Sequence, residues 1–225
     1  MEVIILAGGL GTRLKGVIDD IPKPMAPVNG KPFLEVLLNN LNKQSFKSVT
    51  LSVGYKWEVI KDYFGEKYKD IDIKYSIEKD PLGTGGGISQ AMNNIHSSNY
   101  LILNGDTLFD IDFTDFKNFH LSNNSDISLA LKNMHKPYRY GTVELNLNRI
   151  TQFVEKREID DGLINCGVYI INNKIKKEFP RGRFSFEKFM ENNTKKLILN
   201  GKIYSDYFID IGIPEDYAKI QDDLK

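Results

Sequence analysis

Val3-Ile4-Ile5-Leu6-Ala7-Gly8-Gly9-Leu10-Gly11-Thr12-Arg13-Leu14 sets the fold class. Its first part, Val3 to Leu6, is a short continuous apolar run that stops at glycines, the pattern of a strand buried on both faces. A glycine turn follows at once, and absent side chains there let backbone amides approach a phosphate. Two familiar phosphate loops fail on spacing. A dinucleotide loop wants G-x-G-x-x-G or a final alanine, whereas the frame from Gly9 puts Leu14 at that place, and the second strand ends Val53-Gly54-Tyr55 without a ribose-binding acid. A Walker loop wants Gly-Lys-Ser/Thr, whereas the matching frame from Gly11 reads Gly16-Val17-Ile18. What remains is a long connection from Gly8 to Pro32, holding Pro22, Pro24, Pro27 and Pro32 and delivering two cations, Arg13 and Lys23. Prolines on both sides of Lys23 fix its backbone and lower the entropic cost of presenting its ammonium. Ordered loops of this length are usually functional.

Outward from that loop, Leu34, Leu37, Leu38 and Leu41 fall at helical spacing, Val49 to Val53 reads as a strand, and Lys56 to Phe64 as a helix. Ile71, Ile73, Tyr75 and Ile77 alternate as a strand, and Asp80 to Gly87 breaks the chain before a helix near Ile88 to Ile95. Tyr100 to Leu103 is another buried strand. Strand and helix in alternation predict an α/β fold with a parallel sheet covered on both faces. After about Ser125 the rhythm changes: Asp126 to Leu131, Gly141 to Leu145, Arg149 to Val154 and Leu163 to Ile171 are strand-like, with Asn146-Leu147-Asn148 as a hairpin turn. Antiparallel strands are therefore expected to extend the sheet. Phe184 to Asn192 and Pro214 to Leu224 read as helices, the second with proline and acids in its first turn. With no repeat or linker, residues 1–225 are expected to form one domain with a mixed, mostly parallel sheet.

Thirty Lys+Arg balance thirty Asp+Glu among 225 residues, which leaves no positive field for nucleic acid or an acidic membrane. A hydrophobic share of 41% with 27% charged residues is ordinary globular usage and excludes a disordered or fibrous chain. Cys166 is the only cysteine, so neither an intrachain disulfide nor a cysteine-rich zinc site can form. Glu2 stands where a secretory signal would place a base, and no apolar run approaches the roughly 18 to 20 residues of a membrane span. The expected location is the cytoplasm.

The loop residues Gly8-Gly9-Leu10-Gly11-Thr12-Arg13-Leu14 and Pro22-Lys23-Pro24-Met25 resemble the signature of the sugar-1-phosphate nucleotidylyltransferases. The resemblance continues in order through Pro81-Leu82-Gly83-Thr84-Gly85-Gly86, Asn104-Gly105-Asp106, Phe153-Val154-Glu155-Lys156, Asn165-Cys166-Gly167-Val168-Tyr169 and Phe208-Ile209-Asp210-Ile211-Gly212. It implies a single Rossmann-like, GT-A-like catalytic domain with helices on both faces of the sheet. It also implies in-line transfer of a nucleoside monophosphate from a nucleoside triphosphate to a sugar 1-phosphate. Arg13, Lys23, Asp106 and Lys156 are the implied catalytic residues, and Asp106 with Asp210 the implied ligands of Mg²⁺ or Mn²⁺. Nucleotide contacts fall on Leu6, Ala7, Gly8, Gly9, Gly11, Thr12, Arg13, Lys23, Glu78, Leu82, Gly83, Thr84 and Gly105. Tyr140, Gly141, Glu155, Lys156 and Asn165 are implied at the sugar phosphate.

The resemblance further implies GTP and a manno-configured heptose 1-phosphate as the expected substrates, with Glu78 as a candidate acceptor for the amino groups of guanine. Mannose, glucose or N-acetylmuramate 1-phosphate, or phosphocholine, with another base is the alternative within this chemistry, and an inactive nucleotide-binding regulator the alternative outside it. Gly16-Val17-Ile18 replaces the usual Pro-Leu-Thr, which argues against the thymidylyltransferase branch. Within 225 residues, the left-handed β-helix domain that some members of the family carry, and the acetyltransferase activity associated with it, are not expected. Beyond the two substrates, a homo-oligomer stays open as a partner. Asp110 and Asp112 read as turn and cap residues, Cys166 as a small buried residue, and His96, His120 and His135 show no ligand spacing.

Overall fold

The computed structural model describes residues 1–9, 21–154 and 159–224. Strand β1 (Glu2–Leu6) is followed by a 3-10 turn (Lys23–Met25), the short pair β2 (Pro27–Val28) and β3 (Lys31–Pro32), and helix α1 (Phe33–Lys43). Next come β4 (Ser48–Val53), α2 (Trp57–Phe64), β5 (Lys67–Tyr68), β6 (Ile71–Ile77), α3 (Gly83–Asn93) and β7 (Asn99–Asn104). The second half contains β8 (Thr107–Phe109), α4 (Phe113–Ser122), β9 (Ile127–His135), β10 (Thr142–Asn146), β11 (Arg149–Val154) and β12 (Asp161–Asn172). A 3-10 stretch (Asn173–Glu178), α5 (Phe186–Asn192), β13 (Leu199–Ile203), β14 (Phe208–Asp210) and α6 (Pro214–Asp223) complete it.

Ten strands form one sheet in the order β10-β11-β13-β9-β12-β7-β1-β4-β6-β5. The run β7-β1-β4-β6 is parallel, as strand-helix alternation requires. The expectation of a mostly parallel sheet is corrected, because β13 on β9 is the only other parallel neighbour pair among the described residues. β12 joins β7 and β9 antiparallel, and β10 and β11 form a hairpin, since a connection as short as theirs cannot return a strand in parallel. Helix α3 starts at Gly83, five positions earlier than the periodicity predicts, with glycines filling its first turn. Helix α4 and strand β13 are further elements that the pattern reading passes over.

Alternation along the central strands feeds two apolar layers. Val3, Ile5, Leu101, Leu103, Val168 and Ile170 pack beneath α1, α2, α4 and α6, whereas Ile4, Tyr100, Ile102, Tyr169 and Ile171 pack beneath α3 and α5. Asp112 caps α4, accepting hydrogen bonds from the Thr114 and Asp115 amides at 2.7 and 3.1 Å. Cys166 is buried, as its setting in an apolar strand predicts.

His120 on α4 is 1% exposed, with Nδ1 2.9 Å from Ser128 Oγ and Nε2 3.1 Å from Asn99 Oδ1. A neutral ring satisfies both contacts when Nε2 donates to Asn99 and the Ser128 hydroxyl donates to Nδ1. Burial therefore pushes the imidazole pKa down from 6.5 to about 4, the Asp126 carboxylate opposing that shift. The unfolded chain binds this proton first as the pH falls, so the stability contributed by the neutral ring is complete above pH 6.5 and drains away toward pH 4. The slope is about 1.4 kcal/mol per pH unit. Urea midpoints at pH 7, 6 and 5 are expected to fall less steeply in His120→Gln than in the unaltered protein, and equal slopes would remove His120 as the source.

Candidate active site

The carboxyl ends of β1, β4 and β7 meet where an open α/β sheet binds its ligands. The Ala7 amide donates to Ser52 O at 2.7 Å and the Gly105 amide to Leu6 O at 2.9 Å, which closes the ends of the three strands on one another. A Cβ on Gly105 would stand 2.5 Å from that same Leu6 oxygen. Only glycine lets the chain pass so close, and the turn it makes aims Asp106 off the end of β7.

Asp210 arrives from the other end of the sequence. Antiparallel pairing of β8 with β14 sets Asp210 opposite Thr107, and the Ile211 amide donates to Asp106 O at 2.9 Å. The 3-10 turn, in which Lys23 stands between Pro22 and Pro24, then brings Lys23 between the two acids. Its Nζ is ion-paired with Asp106 Oδ2 and lies 3.9 Å from Asp210 Oδ1. The lysine side chain is 14% exposed and the two carboxylates 32% and 28%, so the cluster is largely shielded yet open on one side. Burial, then the Asp106 charge, hold the Asp210 carboxyl above its ordinary pKa, while Lys23 and the Gly212 amide, which donates to Oδ1 at 2.7 Å, pull the other way. Two acids that crowd each other and face a single ammonium form a site with unmet demand for positive charge.

A cavity of about 340 Å³ opens beside this cluster, within the range of small-ligand sites. Asp106, Asp210, Tyr140, Gly141 and Asn165 all line it. Asn165 is set by an irregularity of β12 between Asn165 and Tyr169, where Gly167 turns through a φ of +69°. Its Nδ2 donates to Tyr169 OH at 2.9 Å and its Oδ1 accepts from the Gly167 amide at 3.1 Å, so its orientation is fixed from within. Burial, and after it the Asp210 charge, raise the Tyr140 hydroxyl pKa far above 10, so Tyr140 enters the cavity as a neutral phenol. Asn104, Cys166, Glu187 and Glu191 also line the cavity and had no place in the sequence-derived site. Asn104 Oδ1 is a buried acceptor without a partner among the described residues.

On the other side of β1, the Glu78 carboxylate accepts from Ser52 Oγ at 3.1 Å and from the Leu82 amide at 3.0 Å. It thereby closes the approach to the first turn of α3, and a Cβ on Gly8 would lie 3.5 Å from its Oε1. Gly83 takes a φ of +72°, and a side chain there would strike Phe184 O at 2.6 Å. One on Gly85 would run into the Phe184 ring. These glycines thus admit the chain's own 182–184 segment, which pairs with them through Phe184 N to Leu82 O and Gly85 N to Phe184 O, both 3.0 Å. Thr84 Oγ1 donates to Glu187 Oε2 at 2.8 Å. Leu6 ends β1, with Ala7, Gly8 and Gly9 directly beyond it, and a Cβ on Gly9 would meet nothing within 4 Å among the described residues. Gly11, Thr12, Arg13, Glu155 and Lys156 lie outside the described residues.

Asp106 and Asp210 are the residues here suited to a divalent cation. Among the described residues no set of three or more acidic, histidine or cysteine side chains comes together as a ligand cage. Two hard carboxylate donors fit an ion of the Mg²⁺ type, which takes its remaining ligands from substrate phosphates and water. They do not fit a metal that demands an all-protein shell.

A family profile described as Nucleotidyl transferase matches residues 2–225. The chain is 52% identical to the D-glycero-α-D-manno-heptose 1-phosphate guanylyltransferase of Campylobacter jejuni over 219 residues, covering 96% of this chain and 97% of that one. It is 48% identical to the protein of the same name from Aneurinibacillus thermoaerophilus, over 100% of this chain and 99% of that one. The crystal structure of HddC from Yersinia pseudotuberculosis complexed with GMP-PN superimposes with a TM-score of 0.88 at 38% identity, covering 100% of this chain and 99% of that one.

Proposed function

Because the chain belongs to the nucleotidyl transferase family, we propose that it transfers GMP from GTP to D-glycero-α-D-manno-heptose 1-phosphate, giving the GDP-heptose and pyrophosphate. The observation that carries this reading is the Lys23-Asp106-Asp210 cluster beside a cavity that the two carboxylates help to line. Residues 1–225 are read as one GT-A-like catalytic domain acting in the cytoplasm; no described helix is long and apolar enough to cross a membrane.

In this reading a phosphate oxygen of the sugar phosphate attacks the α-phosphorus of GTP in line, the bond from that phosphorus to the β-phosphate bridging oxygen breaks, and pyrophosphate leaves. Both reactants are anions, so the protein's work is placement and neutralisation. Lys23 and Arg13 hold the triphosphate, and Lys156 the sugar phosphate. Asn165 and the Gly141 amide meet ring hydroxyls, with Tyr140 as a wall and Glu155 as a further acceptor. Leu6 to Gly9, Gly11, Thr12 and Gly105 lie along the nucleotide, whose base is received at Leu82, Gly83 and Thr84. Glu78 supports guanine recognition by fixing that turn. Asp106 and Asp210 would hold Mg²⁺ or Mn²⁺, which supplies charge stabilisation to the phosphates when bound.

Pyrophosphate release is the test, with the four ribonucleoside triphosphates and dTTP competed against heptose 1-phosphate, and heptose against mannose and glucose 1-phosphates. GTP with the heptose is expected to give the highest kcat/KM. Mannose 1-phosphate, which lacks one hydroxymethyl carbon, should follow weakly, and a wrong base should be rejected strongly because it leaves buried polar groups unpaired. A preference for UTP, CTP or glucose 1-phosphate would falsify the assignment of substrates.

A further inference from the structure

Helix α5 contributes Glu187 and Glu191 to the lining of the cavity. The two differ in their surroundings. Glu191 is ion-paired with Lys188 at 3.0 Å, whereas Glu187 has no cation against it among the described residues. Its Oε2 accepts from Thr84 Oγ1 at 2.8 Å and from Ser185 Oγ at 2.7 Å, two neutral donors. Thr84 Oγ1 in turn accepts from the Phe186 amide at 2.8 Å, and Ser185 is the N-cap of α5. One carboxylate oxygen is thus anchored to the first turn of α3, and the side chain is held as part of the cavity wall with no cation paired to it among the described residues.

That charge gives the cavity a polarity. A sugar 1-phosphate is anionic at one end and a neutral polyol at the other. The anionic end must reach the α-phosphorus of the nucleotide held beside the Lys23-Asp106-Asp210 cluster, and it belongs away from Glu187, because a phosphate brought against a carboxylate in a partly desolvated cavity is repelled. A carboxylate can only accept hydrogen bonds, and those it accepts from hydroxyls are of the stronger, charge-assisted kind. With Asn165 and Gly141 assigned to the ring hydroxyls in that reading, α5 is the wall for what projects beyond the ring. Resting on the substrate reading above, we infer that Glu187 is a specificity-determining residue that accepts hydrogen bonds from the exocyclic diol of the heptose, the portion a hexose lacks in part. Thr84 is the positioning residue that aims it, which also ties the sugar end of the site to the turn that receives the base.

Glu187→Gln isolates this role. The amide keeps a carbonyl oxygen for Thr84 and Ser185 and nearly the same shape, but presents a donor where the carboxylate presented an acceptor. With GTP saturating, the ratio of kcat/KM for heptose 1-phosphate to that for mannose 1-phosphate is expected to fall at least about 10-fold, through the heptose arm. Thr84→Val should lower the ratio in the same direction, and Thr84→Ser should leave it intact, a pattern that a general loss of stability would not produce. Should Glu187→Gln not fold, the Thr84 pair carries the comparison alone. An unchanged ratio in Glu187→Gln, or in Thr84→Val where that pair stands alone, overturns the inference, whether both arms fall together or neither moves. If the unaltered protein shows no preference for the heptose, the substrate reading fails first and this inference with it.

Discussion

Asp106→Asn is expected to turn over on the order of 10² to 10³ times more slowly than the unaltered protein, with its fold intact. The substitution removes a charge and keeps the shape. Asp106 stands on a turn that tolerates only glycine before it, so its carboxylate is fixed relative to β1 and β7 rather than free to be replaced by a neighbour. The fold tolerates the change because Lys23 retains Asp210, and because the repulsion that Asp106 exerts on Asp210 disappears with it. Steady-state kcat with GTP at saturating Mg²⁺, beside a thermal melt, measures both halves of the expectation. An unchanged kcat would take Asp106 out of the site. The same reasoning makes turnover dependent on a divalent cation, so excess chelator should abolish activity in the unaltered protein.

The parts of the site that were legible in the sequence are those encoded locally. Asp106 follows an apolar strand, and Lys23 sits between two prolines; both positions are fixed by a few neighbouring residues, and the structure puts the two side chains in contact. The approach of Asp210 is different. It depends on two strands of three residues each, β8 and β14, lying about a hundred positions apart, and segments so short carry no period to read. The sheet shows the same division. Its parallel half follows from strand-helix alternation, whereas the order of the remaining strands is decided by the antiparallel insertion of β12 between β7 and β9, which no local pattern announces.

Other elements were hidden by composition. Helix α4 buries Phe113, Phe116 and His120 at helical spacing, but its phenylalanines and threonine are as much at home in strands. Strand β13 contains Asn200 and Gly201, and Gly201 is needed because a Cβ there would run into Leu131. Gly83, Gly85 and Gly86 read in the sequence as room for a nucleotide base. The partner they approach in the structure is the chain's own 182–184 segment, a tertiary contact from a hundred residues away. Glu187 was invisible for the same reason, since an acid on a short amphipathic helix acquires meaning only once α5 is docked on α3.

Lys23→Met is expected to reduce kcat/KM for GTP by roughly 10² to 10³, and it should also change how the protein responds to a metal when no nucleotide is present. Lys23 is the one described cation within ion-pair distance of both Asp106 and Asp210. Methionine has nearly its length and none of its charge, so two neighbouring carboxylates are left facing each other. Removing one partner of a fully buried pair costs about 3 to 5 kcal/mol, and because water reaches these acids from one side the cost should be nearer 1 to 3 kcal/mol. For a protein of this size each kcal/mol lowers the thermal midpoint by about 2 to 4 °C. A divalent ion can then take the place the ammonium held, and an ion that binds only the folded state stabilises it in proportion to its occupancy. Saturating Mg²⁺ should therefore raise the midpoint of Lys23→Met well above its metal-free value while moving that of the unaltered protein little, since there the ammonium already stands between the acids. Equal shifts in both proteins would mean that Lys23 and the ion do not compete for one position, and that Asp106 and Asp210 take up metal independently of the lysine.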